Sequence, residues 1–182
     1  MAIEQTPDPV VEVVAAGLEQ KTILANLLEL YSHDFSEFID LEIGRDGRFG
    51  YRDLDLYWTD PQRFPFLVHV GGVPGGFVLV MRVSDSRGEM SVWEVAEFFV
   101  VRGFRRRAIG TRAALEVFAR FPGRWQVRVM QSNLPACVFW SRTVRAFAGD
   151  AVILNRETAH GKDWNMLSFH SPPRVIQAQG WL

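Results

Sequence analysis

The constraint that says most about this chain is an abrupt change of pattern between residues 95 and 118. Val95-Ala96-Glu97-Phe98-Phe99-Val100 is apolar enough for a strand, and Ala113, Ala114, Leu115, Val117 and Phe118 recur at helical spacing soon after. Between them lies Arg102-Gly103-Phe104-Arg105-Arg106-Arg107-Ala108-Ile109-Gly110-Thr111. A strand that turns directly into a helix leaves the first helical amides without intrahelical partners, and the helix dipole adds partial positive charge there. Gly110 carries no Cβ to keep a ligand off the main chain, and Arg105, Arg106 and Arg107 bring full charges to the same point. A diphosphate suits such a turn.

The rest of the chain supplies the frame. Residues 10–15 read as a strand and residues 18–30 as a helix with Leu18, Ile23, Leu24, Leu27, Leu28 and Leu30 as its apolar positions. Residues 31–60 read as a short helix and an irregular loop punctuated by Gly44, Gly47 and Gly50. A hairpin follows, with strands at 66–70 and 76–83 around Gly71-Gly72, then a turn at 84–88 and a long strand at 92–101. Pro122-Gly123 stops the next helix, residues 125–130 alternate as a strand, and a helix over 133–147 is entered through Asn133 with Pro135 in its first turn. Short strands are expected at 152–154 and 164–169. A strand-helix-strand unit among antiparallel strands predicts a mixed α/β domain over 1–182, with a mostly antiparallel sheet flanked by helices.

Two motifs here resemble a known family. Arg105-x-x-Ala108-x-Gly110, preceded by a strand ending Phe98-Phe99-Val100, is similar to the coenzyme A diphosphate loop of the GNAT superfamily of N-acetyltransferases. Asn133-x-x-Ala136-x-x-Phe139-Trp140 is similar to that superfamily's second motif, on the next helix. The resemblance covers roughly residues 94–147 and implies a GNAT-like fold with acetyl-CoA as cosubstrate. It also implies direct transfer of an acetyl or short acyl group to an amine. It assigns the cosubstrate to Phe98, Phe99, Val100, Arg105, Arg106, Arg107, Ala108, Ile109, Gly110, Thr111, Asn133, Phe139 and Trp140, with main-chain N–H groups at a bulge among Phe98, Phe99 and Val100 polarising the thioester carbonyl. Glu94 stands where one branch of the family keeps its glutamate base, and Glu97 is the alternative. The two sit on opposite faces of a regular strand.

The chain departs from the family twice. Ala108 replaces the first glycine of the loop, which a negative φ would accommodate. Trp140 replaces a tyrosine that in many relatives protonates the departing thiolate, and an indole N–H is no acid near neutral pH. Tyr31, Tyr51 and Tyr57 are the tyrosines left for that role, with water as the other donor. A non-catalytic acyl-CoA sensor is the competing reading.

Asp53, Asp55, Tyr57, Trp58 and Asp60 form the candidate acceptor wall, where carboxylates and ring faces attract a cationic amine. Cys137 is the one cysteine, and no Cys/His spacing suits a metal, so no metal cofactor is expected. A formal net charge of -1 over 182 residues argues against nucleic acid as partner. Apolar runs far shorter than the ~20 residues of a membrane span, with no export signal at the start, predict a cytoplasmic protein without membrane association. The apolar tail at 175–182 is a candidate surface for a homodimer.

Overall fold

The computed structural model describes residues 9–84, 88 and 90–173. Hydrogen bonds order its strands β1-β2-β3-β4-β5-β7-β6 in a seven-stranded sheet. These are β1 (Val11–Ala15), β2 (Arg63–Val70), β3 (Val73–Ser84), β4 (Met90–Val100), β5 (Gly123–Met130), β6 (Ile153–Ala159) and β7 (Lys162–Ser171). The helices are α1 (Lys21–Phe35), α2 (Leu56–Thr59), α3 (Ile109–Arg120) and α4 (Leu134–Ala148). β5 runs parallel to β4, and the β1/β2, β2/β3, β5/β7 and β6/β7 pairs are antiparallel. A parallel pair needs a crossover connection, which α3 supplies. This is the mixed, mostly antiparallel sheet with helices that the sequence predicts. By internal contacts the chain forms two compact units, Met1–Arg82 with Val95–Ala114, and Val83–Glu94 with Leu115–Leu182.

In the first unit α1 buries Leu24, Leu27 and Leu28 against Leu67, Phe77, Leu79 and Phe99. Those positions repeat at three and four residues, so they form one stripe, while Leu18, Ile23 and Leu30 fall outside it and are exposed. Tyr31 and Phe35 continue the stripe instead, stacked on each other with centroids 5.4 Å apart. Each fully buried leucine contributes about 1.5–3 kcal/mol.

β2 starts at Arg63, earlier than expected, and takes Pro65 into the strand. Pro65 is tolerated because the β1 register ends at Ala15↔Phe66, one residue short of it, and its carbonyl accepts the Ala16 amide at 2.9 Å. Gly71 and Gly72 make the tight turn with φ of 60° and 82°. β3 then pairs Pro74 with His69 and Gly76 with Val68, which leaves Gly75 bulged. The bulge turns the Gly75 carbonyl onto the Val101 amide, 2.9 Å away. Gly76 lies so close to β4 that a Cβ there would run into the Phe99 carbonyl oxygen.

In the second unit β5 alternates, with Trp125, Val127 and Val129 buried on one face. Phe118 of α3 meets Trp125 and Phe169 edge to face at 5.0 and 4.8 Å, and α4 packs on β5 and β7. The last two strands run longer than predicted because His160-Gly161, with φ of 51° and 69°, closes them as a two-residue hairpin.

Most of the turn expected at 84–88, and the tail at 175–182, lie outside the described residues. Among the described residues no helix is long and apolar enough to cross a membrane. The close approach at Gly76 gives a stability prediction: Gly76→Ala lowers unfolding free energy by about 1–3 kcal/mol, the range for overpacking. Gly103→Ala, which points into open space, changes it by less than about 0.5 kcal/mol. Urea denaturation of both variants measures the contrast.

Candidate functional site

The turn after β4 is built from its neighbours inward. The Gly75 carbonyl holds the Val101 amide, and a single 3-10 turn over Arg102–Phe104 follows, closed by Phe104 N–H to Val101 O at 2.9 Å and Arg105 N–H to Arg102 O at 3.1 Å. Arg106 and Ala108 then take φ of 64° and 56°. The condition under which alanine would fit easily at 108, a negative φ, is not met: the chain alternates hand through 106–108, which puts an alanine where the backbone favours glycine. Alternating hands turn successive amides to one side, the geometry of an anion nest. α3 begins at Ile109, and the amides of Ile109 and Gly110 have no carbonyl behind them in the helix. Ile109 is buried and Thr111 half-buried.

Arg105 departs from its expected role. Its Nε donates to the Val100 carbonyl at 2.7 Å, its Nη2 to Asp34 Oδ2 at 2.6 Å, and its guanidinium lies 5.4 Å from the Phe99 ring centroid. The group is engaged within the protein on all three counts. Arg106 and Arg107 remain exposed on the turn, with no ion pair among the described residues. Asp34, near the end of α1, also accepts from Arg102 Nε at 3.0 and 3.2 Å. Burial pushes the Asp34 carboxyl up, but the hydrogen bonds from Arg102 and Arg105 outweigh it and hold the group below its ordinary value.

The three tyrosines of the chain gather at one carboxylate, Glu97. Tyr31 donates to Glu97 Oε2 at 2.5 Å and Tyr51 to Oε1 at 3.2 Å. Tyr31 comes from the buried stripe of α1, its ring edge-on to Phe77 and Phe99. Tyr51 is delivered by Glu29 of α1, which accepts the Phe49 and Gly50 amides at 2.8 and 3.0 Å and so fixes the backbone just before it. Tyr57 is nearby, its hydroxyl buried without a hydrogen bond of ordinary geometry, and Arg63 lies 5.4 Å over its ring. Burial first, then the Glu97 charge, raise all three phenols well above the ordinary value, Tyr57 to about 12. Each therefore stays a protonated donor at any physiological pH.

Glu94 faces a different environment in the second unit. It is 7% exposed and accepts a hydrogen bond from Gln126 Nε2, the residue opposite it on β5. Burial raises its carboxyl, with the Gln126 hydrogen bond and Arg128 opposing. Arg128 Nε lies 2.9 Å from Glu157 Oε1 but off the hydrogen-bonding direction, and its guanidinium sits 5.1 Å from the Trp164 ring centroid.

Asn133 caps α4, its Oδ1 accepting the Ala136 amide at 3.1 Å. Trp140 is 6% exposed, its ring centroid 4.8 Å from Phe139 and 6.3 Å from Phe118. The indole is part of the core of the second unit. Phe139 is half-buried, and Phe99 and Val100 are buried with Phe98 half-buried. Of the residues expected in the acceptor wall, Tyr57 is 3% exposed, and half-buried Trp58 is tied to the Ala16 carbonyl by its Nε1 at 2.9 Å. Their rings close the core of the first unit, leaving Asp53 and Asp55 exposed beside them, Asp55 paired with Lys21. No sequence pattern marks Asp34, and the tyrosines signalled their meeting only by being the full complement of that residue.

No family model and no curated protein matches this chain. Solved structures do resemble it. An acetyltransferase from Thermus thermophilus has a TM-score of 0.63 at 20% identity over 88% of this chain and 96% of that one. A GNAT-family acetyltransferase from Streptococcus pneumoniae has a TM-score of 0.58 at 12% identity over 88% and 99%. A PaiA N-acetyltransferase from Thermoplasma acidophilum, in complex with coenzyme A, has a TM-score of 0.60 at 10% identity over 88% and 99%. What they share with this chain is the fold.

The tyrosine cluster gives a titration prediction. A raised phenol contributes stability that is complete below the ordinary pKa of 10.0 and lost as pH rises toward the folded value. Ultraviolet titration should show no tyrosinate up to about that pH. Above it, ionisation of Tyr31 and Tyr51 should coincide with loss of circular dichroism, and free ionisation of either in the folded protein would contradict the burial described.

Proposed function

We propose, with the GNAT fold as premise, that this chain moves an acetyl or short acyl group from coenzyme A to an amine. The observation that carries the reading is the alternating-hand turn at 106–108 running into the bare first amides of α3. Backbone N–H groups turned to one side, with Arg106 and Arg107 beside them, fit a diphosphate and nothing apolar. Bound acyl-CoA would supply an activated thioester, whose acyl carbon an amine attacks to form an amide and release the thiol.

The residues of the chain divide the remaining work. The turn residues Arg106, Arg107, Ala108, Ile109 and Gly110 hold the diphosphate. Main-chain N–H groups among Phe98, Phe99 and Val100, at the end of β4, are the donors this reading assigns to the developing oxyanion. Glu97 takes the proton that the attacking amine must lose, and Tyr31 and Tyr51 orient its carboxylate by donating to both oxygens. The raised phenols are donors and not acids. The departing thiol, with a pKa near the ~8.5 of cysteine, leaves as a thiolate and collects its proton from water, so Trp140 in place of tyrosine costs the reaction little.

Incubation with acetyl-CoA and a panel of amines, followed by thiol release, tests the activity. Amine-dependent release supports it, and CoA binding without release across a broad panel would leave a sensor. Gly110→Glu sets a carboxylate against the diphosphate and should abolish CoA binding with the fold intact by circular dichroism. Undiminished affinity in that variant would remove the turn from the site. Glu97→Gln should lower kcat roughly 100-fold or more, within the range for general base catalysis, while CoA affinity holds. Full activity in it, with the loss appearing in Glu94→Gln, would move the base to Glu94.

A further inference from the structure

We infer that Asp34 is a positioning residue for the phosphate-binding turn, setting its shape through Arg102 and Arg105 and so governing acyl-CoA affinity without touching the cosubstrate. The inference rests on the reading of the turn given above. Asp34 belongs to α1, whose Leu24, Leu27 and Leu28 anchor it in the core of the first unit. Its two oxygens take Arg102 through Nε at 3.0 and 3.2 Å and through Nη2 at 2.8 Å, and Arg105 through Nη2 at 2.6 Å. One carboxylate thus fixes both ends of the 3-10 turn at 102–104. Arg105 carries the restraint onward, because its Nε also holds the Val100 carbonyl and the next residue, Arg106, is the first with positive φ.

An isolated exposed ion pair would do little of this. Here one fork-shaped guanidinium grips both oxygens of the carboxylate, and a second donates in turn to the main chain, a network that fixes geometry as well as charge. The groups facing Asp34 are Arg102, Arg105 and His33, whose Nδ1 is 3.8 Å from Oδ1. The alternative role for the arginines, as direct diphosphate ligands restrained by a competing carboxylate, predicts the opposite sign: removing the Asp34 charge would free them and tighten binding.

Isothermal titration with CoA, on the full chain and on Asp34→Asn, Arg105→Gln and the double variant, decides between the two. The expected result is about a tenfold rise in Kd for Asp34→Asn, the effect of losing one charge-assisted hydrogen bond. KM for acetyl-CoA should rise in parallel with kcat at saturation retained, and Asp34→Glu should restore most of the affinity. The double variant should be no weaker than the worse single one, because both break the same link. Unchanged or tighter binding in Asp34→Asn, a loss confined to kcat, or additive losses in the double variant would overturn the inference. If the parent chain binds CoA and Asp34→Asn binds it equally, the inference alone fails. If the parent chain binds no CoA, the functional reading falls and takes the inference with it.

Discussion

One backbone hydrogen bond organises the candidate site: the Val101 amide on the Gly75 carbonyl. It joins the bulged residue of β3 to the first residue after β4, and Gly76 beside it lets β3 come against the Phe99 carbonyl where any side chain would intrude. The end of β4 is therefore fixed in direction as well as position, and the turn that follows starts from a defined point. From there Arg105 ties back to Val100, Asp34 ties to Arg102 and Arg105, and the chain reverses hand at Arg106 and Ala108 before α3 begins.

The anchoring uses charge in a way composition does not reveal. Of the arginines in the 102–107 run, two serve the protein's own geometry and two face outward. The positive potential offered to a phosphate therefore comes from Arg106, Arg107 and oriented main-chain amides. Amides held by the fold need no reorganisation when an anion arrives, which makes them better suited to the task than long, mobile side chains. Glu97 follows the same logic with opposite sign. It is half-buried and held on both oxygens by phenols too buried to ionise. The arrangement fixes the direction of the carboxylate, and Glu29 fixes the direction of Tyr51 one step further out.

The architecture was legible before any coordinates because it is written in periodicity. Strand alternation, the helical stripe of α1, the glycine pair at 71–72 and the Asn133 cap are local signals, each settled within a few residues of chain. Errors fell where tertiary packing overrode a local rule. Pro65 entered a strand because β1 stops one residue short of it, and β6 and β7 lengthened around a His-Gly turn that carries no strong signal of its own. The burial of Trp140 and Tyr57 carries no local signal either, because aromatic residues serve in cores and at ligand surfaces alike.

By itself, then, the sequence determined the order of elements, the strand-to-helix turn with its arginines and the pair of candidate glutamates, all properties of neighbours along the chain. Tertiary structure alone decided that Arg105 serves Asp34 and Val100, that Ala108 takes a left-handed φ, and that the three tyrosines converge on Glu97. Each of those facts joins residues to partners elsewhere in the fold or depends on a backbone held from outside its own segment. No spacing rule reaches that far, because the free energies involved exist only once α1, β3 and β4 are packed together.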